Sequence, residues 1–244
     1  MRLDVRGLTV RYGAVPALLD LTLAVPSGQR RAVIGPNGAG KTTLFNAITG
    51  DLRASAGSIA LDGRDVSRLP SWRRARLGLG RSFQRSTLFP DLPAADNLAL
   101  AIRLRERRAW RFWPGGEQSL GSEVEERLAA AGLDRVSSRT AAGLSHGEQR
   151  ALEIELVLAT RPRLLLLDEP MAGLSGAERR AALEHVRSLP PDVTLVVVEH
   201  DLDAVFAIAD WISVLDHGVL LADGTPDAVR ADRHVQEVYL GSRG

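Results

Sequence analysis

The chain has 244 residues, 45% of them hydrophobic and 25% charged, with a formal net charge of +1. That length supports one large core or two small ones. The absence of cysteine excludes disulfides and thiolate metal sites, and the charge balance supplies no basic field for nucleic acid. No apolar run approaches the ~18 residues of a membrane-spanning helix. Met1-Arg2-Leu3-Asp4-Val5 lacks the apolar core of a signal peptide, so the expectation is a soluble, cytoplasmic protein.

In chain order, Leu3–Val10 and Leu19–Val25 alternate apolar and polar residues, as half-buried strands do. Ser58–Leu61 reads as a third strand running into the tight turn Asp62-Gly63, and the three suggest an antiparallel sheet. Tyr12, between the first two strands, is either a core or edge aromatic or a flat ring stacked on a purine.

Arg31–Ile34 reads as a buried strand, and Leu44–Thr49 as the first turns of a helix. Between them, Gly35-Pro36-Asn37-Gly38-Ala39-Gly40-Lys41-Thr42-Thr43 satisfies the phosphate-binding pattern G-x-x-x-x-G-K-[ST]. Glycines let the backbone wrap an anion, and successive N–H groups with the helix N-terminus supply positive charge. Lys41 can reach the β- and γ-phosphates of ATP, and the Thr42 hydroxyl can hold Mg²⁺. Lys41 is the only lysine in a chain that otherwise uses arginine. A compact ammonium fits a loop of amides where a forked guanidinium does not.

Leu69–Arg81 is arginine-rich and reads as a short helix with a solvated face. Gly80–Gln84 reads as a strand ending at a polar residue, followed by an irregular loop, Arg85 to Pro93, that holds Leu88 and Phe89. Asp96–Arg105 reads as a helix burying Leu98, Ile102 and Leu104. The basic-aromatic stretch Arg103–Gly116 is either a helix with solvated arginines or an element of a membrane interface. Glu123–Ala131 reads as an acidic amphipathic helix stopped by Gly132.

Ser145 and Glu148 have the spacing of a capping box opening a helix. Capping leaves Gly147 unexplained, since glycine in a first turn costs about 1 kcal/mol relative to alanine. Close approach of the backbone to an anion would explain it. Arg163–Asp168 reads as a central parallel strand ending in Asp168-Glu169-Pro170. There Asp168 can hold Mg²⁺ through water and Glu169 can act as general base. A helix over Gly176–Leu189 precedes a second buried strand, Val193–Val198, ending at Glu199-His200-Asp201. His200 falls at the same sheet end as the other two sites, where it could hydrogen-bond a γ-phosphate. Trp211–Leu215 and Val219–Ala222 read as a closing hairpin, and Pro226–Ala231 as a short helix.

Taken together, the phosphate loop, Gln84, Leu144–Gln149, Asp168-Glu169 and His200 resemble, in order and spacing, the ATP-binding cassette ATPases over about residues 2–240. Leu144-Ser145-His146-Gly147-Glu148 departs from the common L-S-G-G-Q form at His146 and Glu148 but keeps Ser145 and Gly147. Arg81-Ser82-Phe83-Gln84, Pro170–Ser175, Val198–Asp201 and Val238–Gly241 look most like the ATPase subunits of branched-chain amino-acid importers. ATPases of urea or short-chain amide import, and of lipopolysaccharide export, are similar too. Ser175 stands where the wider family has Asp, which bears on how that loop communicates across a dimer.

The resemblance implies an α/β fold: a P-loop NTPase (RecA-like) core with a mainly parallel sheet and an N-terminal antiparallel β subdomain. A helical subdomain of about residues 85–160 is inserted between core segments 1–84 and 161–244. It also implies a head-to-tail homodimer or heterodimer of ATPases, with ATP held by Tyr12 and the phosphate loop of one subunit. Leu144, Ser145, His146, Gly147 and Glu148 of the other subunit would complete the site. Glu169, His200, Lys41 and Gln84 would be catalytic, and Thr42, Gln84 and Asp168 would hold Mg²⁺. Integral-membrane permeases would dock near Arg85–Pro93 at the inner face of the membrane, with an extracytoplasmic solute-binding protein completing the system. A cassette acting on DNA or the ribosome would need a second cassette or a long coiled coil, and neither is present. A P-loop kinase or a regulatory nucleotide-binding module would lack the Leu144 segment and Glu169.

Overall fold

The computed structural model describes residues 1–82, 88–105 and 116–241, which group into two compact units. The first unit comprises Met1–Arg81, Arg163–Glu169 and Pro190–Gly244. Its described residues form ten strands: β1 (Leu3–Tyr12), β2 (Val15–Val25), β3 (Arg30–Ile34), β4 (Ala56–Leu61), β5 (Arg64–Asp65), β6 (Leu79–Arg81), β7 (Leu164–Asp168), β8 (Thr194–Val198), β9 (Trp211–Asp216) and β10 (Val219–Gly224).

Two sheets result. One is antiparallel, in the order β2-β1-β4-β5, and the other has the order β10-β9-β3-β8-β7-β6. In the second sheet β9, β3, β8, β7 and β6 run parallel, and only β10 is antiparallel. β7 and β8, Leu-Leu-Leu-Leu-Asp and Thr-Leu-Val-Val-Val, are buried at every position, as strands covered on both faces must be. The β9–β10 turn places His217 and Gly218 at φ 44° and 81°, the left-handed pair that a tight hairpin requires.

Helix Lys41–Thr49 shares a core with Leu3, Val5 and Leu8 of β1, Leu166 of β7 and Val196 of β8, through its own Leu44, Phe45 and Ile48. The short helix Ser71–Arg76 has the expected solvated face at Arg73 and Arg76, and Arg74 departs from it. Arg74 is only 2% exposed, and its guanidinium donates to the carbonyls of Ala47, Ile48, Ser67 and Leu69. Ala47 and Ile48 lie in the last turn of Lys41–Thr49, so Arg74 supplements the Gly50 cap, whose N–H reaches Ala47 O at 3.3 Å, in satisfying the terminal carbonyls.

The second unit comprises Ser82–Pro162 and Pro170–Leu189. Its main helices are Ala94–Arg105, Gly116–Ala130, His146–Leu158 and Gly176–Arg187. Leu98, Ile102, Leu128, Leu133, Leu144 and Leu152 form its core. Leu104, expected inside, is 70% exposed: the buried stripe of its helix follows Ala94, Leu98 and Ile102, and Leu104 lies outside it. Buried Glu155 joins three elements, at 3.2 Å from Arg127 and 3.1 Å from His185.

Candidate functional site

The carboxyl ends of β3, β7 and β8 stand side by side, with Val33 opposite Val198 and Asp168 opposite Val198. The phosphate loop leaves β3, Asp168-Glu169 leaves β7 and Glu199-His200 leaves β8, so three separate stretches converge on one edge of the first unit. This is the edge at which open parallel sheets bind ligands.

Two loop glycines are dictated by what surrounds them. A side chain at Gly35 would meet the Leu215 carbonyl oxygen at 2.1 Å, and one at Gly40 would meet the Ala17 oxygen at 2.7 Å. Gly40, at φ 103°, also makes the left-handed turn into helix Lys41–Thr49. The first amides of that helix have no intrahelical acceptor and face the loop.

Lys41 is buried, and its Nζ donates to the carbonyls of Gly35 at 2.7 Å and Pro36 at 3.0 Å. Burial holds its pKa below that of an ordinary lysine, opposed by the charges of Glu169 and Asp168. Tyr12 closes β1 at the β1–β2 hairpin and is 54% exposed, which removes it from the core. The same hairpin brings Ala17 against Gly40 of the loop.

Asp168 is 1% exposed, and its Oδ2 accepts from Arg81 Nη2 at 3.2 Å. The Arg81 guanidinium also donates to Asn46 Oδ1 at 2.7 Å and to Asp51 at 3.3 Å, and it lies over the Phe45 ring. It thus ties β6 and β7 to the phosphate-loop helix. Glu169 holds a left-handed backbone, φ 49°, a conformation that costs a non-glycine residue of order 1–3 kcal/mol. Its N–H donates to Val198 O at 2.9 Å, and its Oε1 lies 2.8 Å from His200 Nε2.

The donors available for a metal suit Mg²⁺, which prefers hard oxygens and retains waters and phosphates. Asp168 offers a buried carboxylate and Thr42 an exposed hydroxyl at the helix start. No group of three acids or histidines forms an all-protein metal cage among the described residues. Gln84, the third expected ligand, and Phe83 beside it lie outside the described residues, as do Arg85, Ser86, Thr87 and residues 106–115.

In the second unit, Ser145 caps helix His146–Leu158 with the expected box: Glu148 N–H donates to Ser145 Oγ at 3.2 Å and Ser145 N–H to Glu148 Oε2 at 2.6 Å. Leu144 is buried beneath it, while Ser145 and His146 are exposed. Gly147 meets an anion from its own chain. Its N–H donates to Glu178 Oε1 at 3.0 Å, and a side chain there would strike Glu178 Cγ at 2.6 Å. Glu178 was not singled out by motif, and Arg81, named in the Arg81–Gln84 stretch, was given no role. Ser175-Gly176-Ala177-Glu178 repeats the S-x-x-E spacing of Ser145–Glu148 and was the available signal for Glu178.

Residues 18–172, spanning the phosphate loop through Glu169, match the ABC transporter family. The chain belongs to that family. Its extreme C-terminal segment, residues 219–244, matches the branched-chain amino acid ATP-binding cassette transporters. Among individual cassettes it is similar to the high-affinity branched-chain amino acid transport ATP-binding protein BraF of Pseudomonas aeruginosa, at 39% identity over 98% of this chain and 97% of that one. It is 35% identical to LivG of Escherichia coli, of the same description, and 31% identical to that organism's lipopolysaccharide export system ATP-binding protein LptB, each over 98% of this chain and 97% of the relative. Among solved structures, the ADP conformation of an ABC transporter cassette superposes with a TM-score of 0.85 at 27% identity, covering 99% of both chains. A nucleotide-free cassette gives 0.83 at 27% identity, covering 98% of this chain and 99% of the other. This ABC ATPase therefore has the α/β cassette fold that its motifs implied.

Proposed function

We propose that this cassette is the ATP-hydrolysing subunit of an importer for branched-chain amino acids. The observation that carries the reading is the convergence of Lys41, Asp168, Glu169 and His200 on one sheet edge in a chain 39% identical to BraF. The 31% identity to the lipopolysaccharide-export cassette places that function second.

In this reading the loop amides and Lys41 bind the phosphates, and the exposed Tyr12 ring stacks on the base. Thr42 and Asp168, with Gln84, would hold Mg²⁺, which would neutralise charge developing on the phosphates. Glu169 takes the proton of the attacking water as general base, while His200 holds one carboxylate oxygen and so orients the other. One face of amides cannot surround a triphosphate. Ser145, Gly147 and their helix N-terminus, from a second cassette, complete the enclosure. Closure then depends on the γ-phosphate, and its cleavage releases the pair. Phe89, which is exposed, would meet a permease at the inner face of the membrane, with a solute-binding protein on the far side.

Two measurements test this. Glu169→Gln with ATP and Mg²⁺ should form a stable dimer by light scattering and hydrolyse ATP at least about 100-fold more slowly. Near-normal turnover would refute the base assignment. Cells lacking the gene should lose high-affinity uptake of labelled leucine, isoleucine and valine; unchanged uptake would refute the substrate class.

A further inference from the structure

Glu178 is the N3 residue of helix Gly176–Arg187, where it accepts hydrogen bonds from Ser175 N–H at 3.0 Å and Ser175 Oγ at 2.7 Å. Those contacts are an ordinary cap. The carboxylate does more. Its other oxygen takes the Gly147 N–H at 3.0 Å. Backbone and hydroxyl donors from two helix starts therefore surround one carboxylate, an arrangement that also suits a phosphate oxygen. Its pKa is held below the usual carboxylate range, first by the Ser175 hydroxyl, so it is ionised at neutral pH.

The donor that Glu178 holds from the Leu144 segment is the Gly147 N–H, assigned above with Ser145 to the triphosphate of the opposing subunit. We propose that Glu178 is a positioning residue that occupies this donor in the separated cassette and is displaced by the γ-phosphate when two cassettes close. The inference rests on the assignment of Ser145 and Gly147 to phosphate. It explains why position 147 is glycine: a methyl group there would collide with the Glu178 side chain.

The energetics follow from competition for the same hydrogen atoms. Whatever the Glu178 contact contributes to the open form opposes closure by the same amount. An ionised carboxylate beside the donors also repels the incoming phosphate. A purely structural Glu178 would have the opposite signature, because its loss would loosen the Leu144 segment and weaken closure. The sign of the effect separates the two roles.

The test introduces Glu178→Gln into the Glu169→Gln cassette and titrates ATP with Mg²⁺ while dimer is followed by light scattering. The ATP concentration giving half-maximal dimer should fall about fivefold relative to Glu169→Gln alone. Binding of a fluorescent ATP analogue to the monomer should stay within about twofold, because Gly147 and Ser175, the hydrogen-bond partners of Glu178, lie outside the phosphate loop. In the nucleotide-free protein, amide exchange over residues 144–150 should accelerate in Glu178→Gln. If the Gln variant does not fold, Glu178→Ala carries the same expectation, since Ser175 still caps its helix. An unchanged or raised midpoint overturns the proposal while leaving the dimer reading intact. Failure of Glu169→Gln itself to dimerise with ATP overturns the dimer reading instead.

Discussion

His200 Nε2 and Glu169 Oε1 lie 2.8 Å apart, each at the end of a different strand, β8 and β7 respectively. The pair forms because β7 and β8 are adjacent and in register, with Asp168 opposite Val198, and because Glu169 adopts a left-handed backbone. One carboxylate oxygen is thereby fixed, which leaves the other with a defined direction in which to take a proton.

Loss of the imidazole should uncouple that orientation from binding. In His200→Ala, kcat should fall at least about 100-fold while ATP affinity changes by no more than a few fold. His200→Gln keeps a hydrogen-bonding group and should recover part of the loss. Steady-state kinetics beside equilibrium binding of a fluorescent ATP analogue checks both. A kcat within about twofold of wild type in His200→Ala would contradict the orienting role.

Arg81 offers a second test, on stability. Its guanidinium pairs with Asp168, which is 1% exposed, and removal of one member of a buried pair typically costs about 3–5 kcal/mol. Arg81→Gln should lower the thermal midpoint by roughly 6–20 °C in a chain of this size. Arg81→Lys should recover only part, because an ammonium cannot span Asn46, Asp51 and Asp168 with one planar fork. Differential scanning fluorimetry of the three proteins is sufficient, and a midpoint in Arg81→Gln equal to wild type would show the pair to be dispensable.

The contrast between Arg81 and Lys41 shows what was legible in the sequence. Lys41, Asp168-Glu169 and the Ser145–Glu148 box act through residues within one short stretch, so spacing alone exposes them. The apolar runs that became β7 and β8 were equally plain, since burial on both faces demands unbroken hydrophobic sequence. Arg74, Arg81 and Glu178 act across breaks in the chain, on Ala47 and Ile48, on Asp168, and on Gly147 respectively. Periodicity carries no record of such partners. In an arginine-rich stretch it points to a solvated face, the reverse of what Arg74 does. Leu104 failed for a related reason: an apolar residue at the end of a helix has no neighbour in sequence to say where the core stops.

Glu123 gives a prediction in pH. Bidentate contact with Arg105 at 2.7 and 2.9 Å, joined by Arg127 and Arg161, lowers its pKa from 4.5 to about 2. A carboxylate depressed in the folded state contributes stability above its unfolded pKa, and that contribution is lost as pH falls through the folded value. Glu123→Gln should therefore be less stable than wild type by roughly 1 kcal/mol near neutrality, the pairing being partly screened by solvent. The deficit should hold down to about pH 5 and shrink steadily below it. Urea titrations of both proteins across that range check the sign; a deficit independent of pH would assign the loss to packing instead of charge.

Lys41 is the only lysine in the chain, so its ε-amine can be read chemically without a mutation. It donates to the Gly35 and Pro36 carbonyls, and burial lowers its pKa. Only the neutral amine attacks an activated ester, so Lys41 should acylate at a lower pH than an ordinary lysine does. Bound triphosphate should reverse this in two ways: its charge raises the pKa of the amine, and its oxygens take the hydrogen bonds now given to the loop. Peptide mass spectrometry should therefore find one ε-adduct, at Lys41, suppressed at least about tenfold by ATP with Mg²⁺. The acylated protein should no longer bind ATP, because an amide at Nζ has lost the cation that the phosphates require. Labelling that is indifferent to ATP would place the phosphates elsewhere and remove the chemical basis for the whole site.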